Sequence, residues 1–318
     1  MTRRLEADAS AIAEAAAMLR AGGLVAFPTE TVYGLGALAT DAAAIARVFA
    51  AKGRPAHNPL ILHVASPALA ARFALFDGRA ERLAAAFWPG PLTLVLPLQR
   101  DAGIAAAATA GLDTVAVRVP RHPTALRLLE AVGGPVAAPS ANRSGRVSPT
   151  TAAHVLADLD GLIDIVLDAG PVEVGIESTV LDLGRPDRAR ILRPGGVTRE
   201  AIEGVIGRLD VSDTDASEPL RSPGLLARHY APKTPLRLDA VAVSPDEALL
   251  AFGPEPLEGA GWTLNLSTKG DLAEAARNLY AMLRALDAEG ASRIAVMKLP
   301  EGGLGEALAD RLKRAATT

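Results

Sequence analysis

The sequence predicts a mixed α/β (α+β) fold, with a large N-terminal domain built on a twisted sheet and a smaller C-terminal α/β domain. Three observations support this prediction. Short apolar runs typical of buried strands mix with amphipathic helical segments without strict alternation. The 318 residues suffice for one large and one small domain, and 49% of them are hydrophobic, so a sizeable core can form. Prolines and acidic residues interrupt the pattern over 207–235, which indicates a linker that crosses the surface.

The elements of the first domain, residues 1–206, follow from capping residues and apolar spacing. Asp41 is suited to cap a helix that ends near Gly53. Ser66 and Pro67 form a typical helix start. Further helices are predicted over 8–21, 123–132 and 199–206, and strands over 24–27, 60–64, 92–96, 115–119, 163–167, 179–183 and 190–192.

The second domain, residues 236–318, is predicted to be a small Rossmann-like unit with a parallel sheet. Asp271 and Glu274 suit the start of a helix whose later residues are apolar at helical spacing. Strands are predicted over 238–243, 249–252 and 294–298.

Composition excludes several classes of protein. The chain has no cysteine, which excludes disulfides, thiolate zinc sites and a cysteine nucleophile. Its net charge is −3, and basic and acidic residues are equal in number over 1–206, so a strong general affinity for the nucleic-acid backbone is not expected. Neither a secretory leader nor a membrane-spanning stretch is recognisable, and we expect a soluble, cytoplasmic protein without a membrane partner.

Polar clusters at the ends of apolar strands are the candidate site, because α/β proteins tend to build sites there. P-loop, Rossmann glycine and nucleophile-elbow motifs are absent from the sequence. The lysine, arginine, serine and asparagine residues of the clusters suit an anion such as phosphate or bicarbonate. The clusters lie at 28–36 (PTETVYGLG), 52–60 (KGRPAHNPL), 138–149 (APSANRSGRVSP) and 175–180 with 191–196 (GIESTV and ILRPGG).

Each cluster also has a purely structural interpretation. The first suits a strand-to-helix turn in which threonine hydroxyls satisfy backbone groups, and the cations of the second suit a helix C-terminus. The third has ordinary loop composition, and Arg193 in the fourth is equally suited to pairing with a surface carboxylate. His63 lies in an apolar strand, where a core histidine is the default interpretation. Loop, surface or packing roles are assigned to His57, His122, His154 and Trp88.

The ordered combination of motifs is more specific than any one of them. The sequence resembles the YrdC/Sua5 family over roughly residues 10–206 through FPTETVYGLG, KGRP with HNPL and ILHV, WPGPLTLVL, VAVRVP, PSAN-x-SG-x-x-SPT, ESTVLDL and ILRPGG. The HYAPK run at 229–233 and the small domain resemble the long, Sua5-type version of that family. The resemblance implies a YrdC-like twisted-sheet domain with a concave pocket.

The resemblance also implies an activity. Members of the family make L-threonylcarbamoyladenylate from L-threonine, bicarbonate or CO2, and ATP with Mg²⁺, and release pyrophosphate. The product serves the N6-threonylcarbamoyl modification of adenosine at tRNA position 37, so a downstream tRNA threonylcarbamoyl transferase machinery is an expected partner, and a weak tRNA contact is compatible with it. A carbamate and a triphosphate are both anionic, so this chemistry needs cations and positioning more than a protein nucleophile.

Site residues are carried over from the family by motif position. The KxR and SxN signature, which is catalytic in the family, corresponds to Lys52, Arg54, Ser140 and Asn142. The expected threonine contacts are Thr31, His63, Arg118, Ala138 and Ser178, and the expected ATP contacts are Arg54, Asn58, Thr114, Ser140, Ser148, Arg193 and Tyr230. Many relatives have threonine where this chain has Ala138; a contact through the backbone would be unaffected, whereas a contact through the threonine hydroxyl would be lost here and would lower substrate affinity. No residue is assigned as a metal ligand.

Two other functions compete with this one. A tRNA- or double-stranded-RNA-binding protein is the first, and the balanced charge of residues 1–206 argues against it. The second is a carbamoyl transferase that acts through carbamoyl-adenylate. Such enzymes usually carry zinc-finger segments, and the absence of cysteine argues against them here.

Overall fold

The structure is a computed structural model that describes residues 1–55, 57–210 and 229–317. Within these ranges the chain forms one sheet of ten strands and one of four. The first sheet contains β1 (Arg3–Glu6), β2 (Val25–Pro28), β3 (Tyr33–Leu38), β4 (Ile61–His63), β5 (Leu92–Pro97), β6 (Thr114–Arg118), β7 (Val136–Ala137), β8 (Ile165–Asp168), β9 (Thr179–Asp182) and β10 (Arg190–Arg193). Its helices are α1 (Ala9–Arg20), α2 (Ala42–Lys52), α3 (Pro67–Ala70), α4 (Gly78–Phe87), α5 (Pro123–Val132), α6 (Ala152–Leu159) and α7 (Arg199–Ile206). The second sheet contains β11 (Leu236–Arg237), β12 (Ala248–Ala251), β13 (Trp262–Asn265) and β14 (Ile294–Val296), with α8 (Leu272–Ala288) and α9 (Leu304–Ala316).

Helix boundaries follow the capping residues that the sequence indicates. The Asp41 carboxylate accepts hydrogen bonds from the backbone N–H groups of Ala43 and Ala44 at 2.9 and 3.0 Å. Gly53 ends α2 in the left-handed conformation, with φ 62°. Thr198 likewise accepts a hydrogen bond from the backbone N–H of Ala201 at the start of α7. These local rules therefore locate α2 and α7 correctly.

The order of the strands gathers polar residues at one end of the large sheet. That order is β1-β8-β2-β3-β7-β4-β6-β5-β9-β10. Strands β4 and β6 are parallel, and His63 at the end of β4 lies beside Arg118 at the end of β6. Strand β5 is antiparallel to β6 and parallel to β9, so Leu92 and Thr179, which begin β5 and β9, lie at this same end. The motifs that follow β4 and β6 and precede β9 therefore meet there.

Apolar residues cover both faces of the large sheet. Along β2, Val25 and Phe27 pack into a cluster with α1 and α5. The alternate residue Ala26 packs into a larger cluster that includes Leu62, as the two-residue period of a strand requires. Full burial of a leucine such as Leu62 contributes roughly 1.5–3 kcal/mol, so the strand ends that carry the polar motifs are held on a well-packed support.

Residues 28–36 form a β-hairpin, and the expected strand-to-helix turn is wrong. Strands β2 and β3 are antiparallel, with Phe27 opposite Gly34. Within the turn, Thr29 Oγ1 donates a hydrogen bond to the carbonyl oxygen of Val32 at 2.7 Å. The threonine does satisfy a backbone group, but the chain reverses into a strand because the second half of the motif is apolar and buried on the sheet.

The second sheet is parallel, in the order β11-β14-β12-β13, and supports the predicted Rossmann-like arrangement. The strand predicted over 238–243 is wrong. The strand in this part of the chain is Leu236–Arg237, which ends before residue 238. Asp239 has a φ of 51°, which ends extended backbone, and Val241 is 88% exposed. Strand β13 and helix α9 had no counterpart among the predicted elements.

Most of the predicted linker, including Asp213, Asp215 and Glu218, lies outside the described residues, so the division at 206 and 235 stays a prediction. Its described end does not cross the surface. Tyr230 is 1% exposed, and its ring stacks on that of Tyr280 in α8 with 5.8 Å between centroids. The stacked rings of Tyr230 and Tyr280 explain why this segment is buried, because exposure to water would remove their apolar contacts.

None of the described helices is both long enough and apolar enough to span a lipid bilayer.

Candidate active site

A buried cavity lies where the polar ends of the large sheet meet the described end of the linker. Arginine side chains converge on it from β6, from β10 and from the loop after α2, and hydroxyl groups converge on it from the loops at this end of the sheet. The predicted site residues that line it are Thr31, Arg54, His63, Arg118, Ala138, Ser140, Ser178, Arg193 and Tyr230. The expectation that distant motifs form one pocket is therefore confirmed, whereas the roles of the individual residues stay predictions.

The other five predicted residues are buried but do not line this cavity. They are Lys52, Asn58, Thr114, Asn142 and Ser148.

Arg118 dominates one side of the cavity. Its Nη2 forms an ion pair with Glu30 Oε1 at 2.7 Å, and both side chains are almost completely buried. Its Nη1 donates to Thr31 Oγ1 at 3.0 Å, and its Nε donates to the carbonyl oxygen of Gly90 at 3.1 Å. Burial raises the pKa of Glu30. The charge of Arg118 and the hydrogen bonds to the carboxylate together lower it by more, so the net pKa lies below the usual value. The guanidinium is thus held at a fixed angle beside the cavity, where its remaining N–H groups can receive a carboxylate.

His63 is both a core residue and a cavity residue. It is 3% exposed, and its Nδ1 lies 3.2 Å from the carbonyl oxygen of Ile61. Burial and then the neighbouring charge of Arg118 lower its pKa to about 3, so the imidazole is neutral at pH 7. The default interpretation as a core histidine and the expected ligand contact are therefore compatible.

Two further arginines supply positive charge to the opposite side of the cavity. Arg54 donates to the carbonyl oxygens of Asn58 and Pro59 at 3.2 and 2.9 Å, and Arg193 donates to that of Ser178 at 2.9 Å. Among the described residues, neither arginine forms an ion pair with a carboxylate. Burial and then the charge of Arg193 lower the pKa of Arg54 to about 10, which leaves it protonated at pH 7. Uncompensated cations beside a cavity suit an anionic ligand.

Lys52 acts on a loop and does not face the cavity. Its Nζ donates to the carbonyl oxygens of Ser140 and of Asn142, the latter at 2.5 Å. Burial and then the charge of Arg54 hold the pKa of Lys52 well below its usual value. The lysine of the KxR signature therefore supports the serine and asparagine of the SxN signature from behind.

Several buried polar atoms have no hydrogen-bond partner among the described residues. An unpaired buried polar group costs about 1–3 kcal/mol, and of the atoms named next only the Tyr230 hydroxyl belongs to a residue that lines the cavity, where a ligand could pair with it. All of the atoms named next belong to residues that the family resemblance assigned to ATP or to the catalytic signature. They are Asn58 Oδ1 and Nδ2, Thr114 Oγ1, Asn142 Oδ1 and the hydroxyl of Tyr230.

Glu177 is a cavity residue to which the sequence analysis gave no role. It accepts hydrogen bonds from Ser148 Oγ at 2.6 Å, from the Tyr280 hydroxyl at 2.8 Å and from Arg311 Nε at 2.7 Å. Burial raises the pKa of Glu177, but the charges of Arg311 and Arg193 and the hydrogen bonds from Ser148 and Arg311 together lower it to about 2. Glu30 and Glu177 both lie inside the polar motifs identified in the sequence. A single carboxylate in a motif set rich in cations was the sequence signal that could have identified each of them as a site residue.

The described residues do not build a metal cage of their own. Among the described residues, no group of three or more histidine, aspartate or glutamate side chains is placed to hold a metal ion. The buried carboxylates Glu30 and Glu177 are both committed to ion pairs with arginine. A divalent cation at this cavity would therefore depend on oxygens that the substrate brings.

Fold and site together define a class: an α/β protein with a cationic, buried cavity suited to holding two anions side by side. Residues 17–195 match the Sua5/YciO/YrdC family model, described as telomere recombination, and residues 197–317 match the model described as threonylcarbamoyl-AMP synthase, C-terminal domain. The chain belongs to the Sua5/YrdC family, and the resemblance seen in its motifs is confirmed.

Known relatives match over nearly the full length. The threonylcarbamoyl-AMP synthase of Bacillus subtilis is 41% identical, over 99% of this chain and 96% of its own. A crystal structure of Pyrococcus abyssi Sua5 complexed with L-threonine is 40% identical and superimposes with a TM-score of 0.90, over 99% of this chain and 97% of that one. Escherichia coli YciO, at 24% identity and a TM-score of 0.54 over 61% of this chain, shares the fold of the large sheet. The predicted fold class is confirmed.

Proposed function

We propose that this protein synthesises L-threonylcarbamoyladenylate from L-threonine, bicarbonate or CO2, and ATP, and releases pyrophosphate. One observation carries the proposal: a single cavity is lined by three arginines, Arg54, Arg118 and Arg193, which together can bind more than one anion. Two anionic substrates can therefore be held next to each other without a protein nucleophile. Relatives named threonylcarbamoyl-AMP synthase, at 41% and 43% identity, support the same activity.

On the amino-acid side, the Arg118 guanidinium would pair with the carboxylate of threonine. Thr31 and Ser178 present hydroxyl groups to the same space, and the neutral imidazole of His63 can accept a hydrogen bond from the threonine hydroxyl or amine. Carboxylation of the amine then gives a carbamate. Because Arg118 is fixed by Glu30, the carbamate oxygen is directed toward the opposite side of the cavity.

On the nucleotide side, a carbamate oxygen would attack the α-phosphorus of ATP. The new P–O bond forms as the bond from that phosphorus to the bridging oxygen breaks, and pyrophosphate leaves with the electron pair. Arg54 and Arg193 would stabilise the charge on the reacting phosphate, and the loop of Ser140 and Asn142, held by Lys52, would donate neutral hydrogen bonds. We expect Mg²⁺ to arrive on the ATP phosphates, whose charge it neutralises.

This reaction makes the enzyme a nucleotidyltransferase. Its product is a mixed anhydride that hydrolyses readily, so we propose that a tRNA threonylcarbamoyl transferase machinery takes it to adenosine 37 of tRNA. A weak contact with tRNA at the enzyme surface is compatible with the low net charge of −3.

The test is an incubation of the purified protein with ATP, Mg²⁺, L-threonine and bicarbonate, followed by mass spectrometry of the nucleotides and a pyrophosphate assay. We expect threonylcarbamoyl-AMP and pyrophosphate in equal amounts, and neither product without threonine. Pyrophosphate release that does not need threonine would point to a carbamoyl transferase. No release at all, with retention of labelled tRNA on the protein, would point to an RNA-binding protein.

A further inference from the structure

Arg311 reaches from the C-terminal helix α9 into the wall of the cavity without lining it. It is 1% exposed, although it is an arginine. Its Nε lies 2.7 Å from Glu177 Oε2, and its Nη2 donates to the carbonyl oxygen of Pro194 at 2.9 Å. Its guanidinium carbon lies 5.0 Å from the centre of the Tyr230 ring. One side chain thus joins three segments that are far apart in the sequence.

Each partner of Arg311 is or adjoins a residue expected to contact ATP. Glu177 accepts the hydrogen bond of Ser148 at 2.6 Å. Pro194 directly follows Arg193 in the chain. Tyr230, whose ring faces the guanidinium, lines the cavity itself. None of these links leads to Arg118 or Thr31 on the opposite side.

We propose that Arg311 is a positioning residue for the nucleotide, through which the C-terminal region fixes the ATP side of the cavity. This inference rests on the proposed function, since it names the substrate whose binding depends on Arg311. Tyr230 has a left-handed backbone with φ 62°, which a bulky residue adopts only when its surroundings hold it. The arginine, with a cation–π contact on one face and hydrogen bonds to Glu177, Asp310 and the carbonyl oxygen of Pro194 at its edges, contributes to that hold.

The structure also provides a matched control, a second ion pair that contacts α9. Arg199 in α7 pairs with Glu306 in α9 at 2.8 Å, so this pair also joins the large sheet region to α9. Both of its side chains are about one-third exposed, and neither lines the cavity. A role that is merely to dock α9 would be shared by Arg199 and Arg311, whereas a role in nucleotide positioning belongs to Arg311 alone.

The experiment compares Arg311→Lys, Arg311→Met and Arg199→Met in the full-length protein. For Arg311→Lys, which keeps the charge but not the planar fork, we expect the KM for ATP and the calorimetric Kd for ATP to rise about tenfold, with the KM for threonine changed by less than about twofold. Arg311→Met should raise the ATP values further. Arg199→Met should leave all of these constants unchanged.

A readout independent of activity follows the described end of the linker. The backbone N–H of Ala231 donates to the carbonyl oxygen of Gly145 at 2.9 Å. We expect hydrogen exchange at Ala231 to accelerate in Arg311→Lys and not in Arg199→Met.

Three results would overturn the inference: unchanged ATP constants in a folded Arg311→Lys, an equal rise in the threonine and ATP constants, or the same changes in Arg199→Met. A wild-type protein that binds ATP but makes no threonylcarbamoyl-AMP would refute the proposed function instead. In that case the ATP Kd and the exchange at Ala231 still decide the role of Arg311.

Discussion

Two buried glutamate–arginine pairs stand on opposite sides of the cavity, and they differ in how they are assembled. Both have a closest approach of 2.7 Å. Glu30 and Arg118 both belong to the large sheet region, and the arginine faces the cavity. Glu177 lies just before β9 in the large sheet region whereas Arg311 belongs to α9, and the carboxylate faces the cavity. The amino-acid side is therefore self-contained, whereas the nucleotide side is completed by the last helix.

The largest expected effect is on the self-contained pair. Arg118→Met should lower kcat/KM for threonine by roughly a thousandfold, because it removes the cation for the substrate carboxylate and leaves Glu30 buried without a partner. Steady-state kinetics with threonine as the varied substrate measures this, with the exposed Arg121 changed to Met as the control. The calorimetric Kd for ATP should stay within about twofold. A similar loss for both substrates would mean that the two sides are not separate.

The second prediction concerns stability against pH, and it tests the pair that spans the molecule. The pKa of Glu177 is about 2 in the folded protein, below its ordinary value of 4.5. The stability from this ionised carboxylate is therefore fully present above pH 4.5 and is lost as the pH falls toward 2. Glu177→Gln should cost on the order of 3 kcal/mol at pH 7, and the difference from wild type should shrink below pH 4.5.

Urea unfolding at pH 7, 5, 4 and 3 measures that difference. Glu30→Gln is the matched variant in the self-contained pair, where the folded pKa is also lowered and the sign of the pH dependence is the same. A Glu177→Gln protein whose deficit stays constant down to pH 3 would show that the ion pair does not govern the stability of that side.

The third prediction concerns positive charge on the nucleotide side. Arg54→Ala should lower product formation by about a hundredfold, as expected for loss of a charge contact at the reacting phosphate. The exposed Arg72, changed to Ala, is the control for the loss of one positive charge. Near-normal turnover of Arg54→Ala would remove this residue from the site.

The smallest expected effect belongs to the hydroxyl of Tyr230. This buried group has no hydrogen-bond partner among the described residues, so Tyr230→Phe should not destabilise the ligand-free protein. If the hydroxyl pairs with ATP, the KM for ATP should rise roughly fivefold while the KM for threonine is unchanged. Thermal unfolding and steady-state kinetics on one preparation measure both. A loss of stability together with an unchanged KM would contradict the assignment.

Local sequence rules predicted much of the amino-acid side because its parts are short motifs at strand ends. His63 and Arg118 each end an apolar run, and parallel pairing of their strands brings them together. The motif at 28–36 was placed correctly at the cavity, although its second half was expected to turn into a helix. There Tyr33 to Leu38 form a buried strand that pairs locally with β2 in a hairpin and, at its far end, with the sequence-distant strand β7, a contact that no local rule predicts.

The nucleotide side was predictable only in part, because its contacts join distant residues. The residue numbers of Glu177 and Arg311 differ by 134, and no spacing rule links them. One signal was present: Leu304, Leu308 and Leu312 recur every four residues, and Arg311 falls on the same buried face of α9. A charged residue on the apolar face of an amphipathic helix indicates a buried partner, here a carboxylate. Lys52 was expected to face the substrates, and only the structure places its Nζ on the carbonyl of Asn142.

The 134-residue separation between Glu177 and Arg311 has a consequence for how the protein is made. During translation the large sheet can be synthesised in full while the Glu177 carboxylate still lacks its arginine. Since domains tend to fold in the order in which they are synthesised, the nucleotide wall is the last part of the cavity to be finished. A chain cut short between residues 206 and 311 would retain the strands of the large sheet and leave the Glu177 carboxylate without its Arg311 partner.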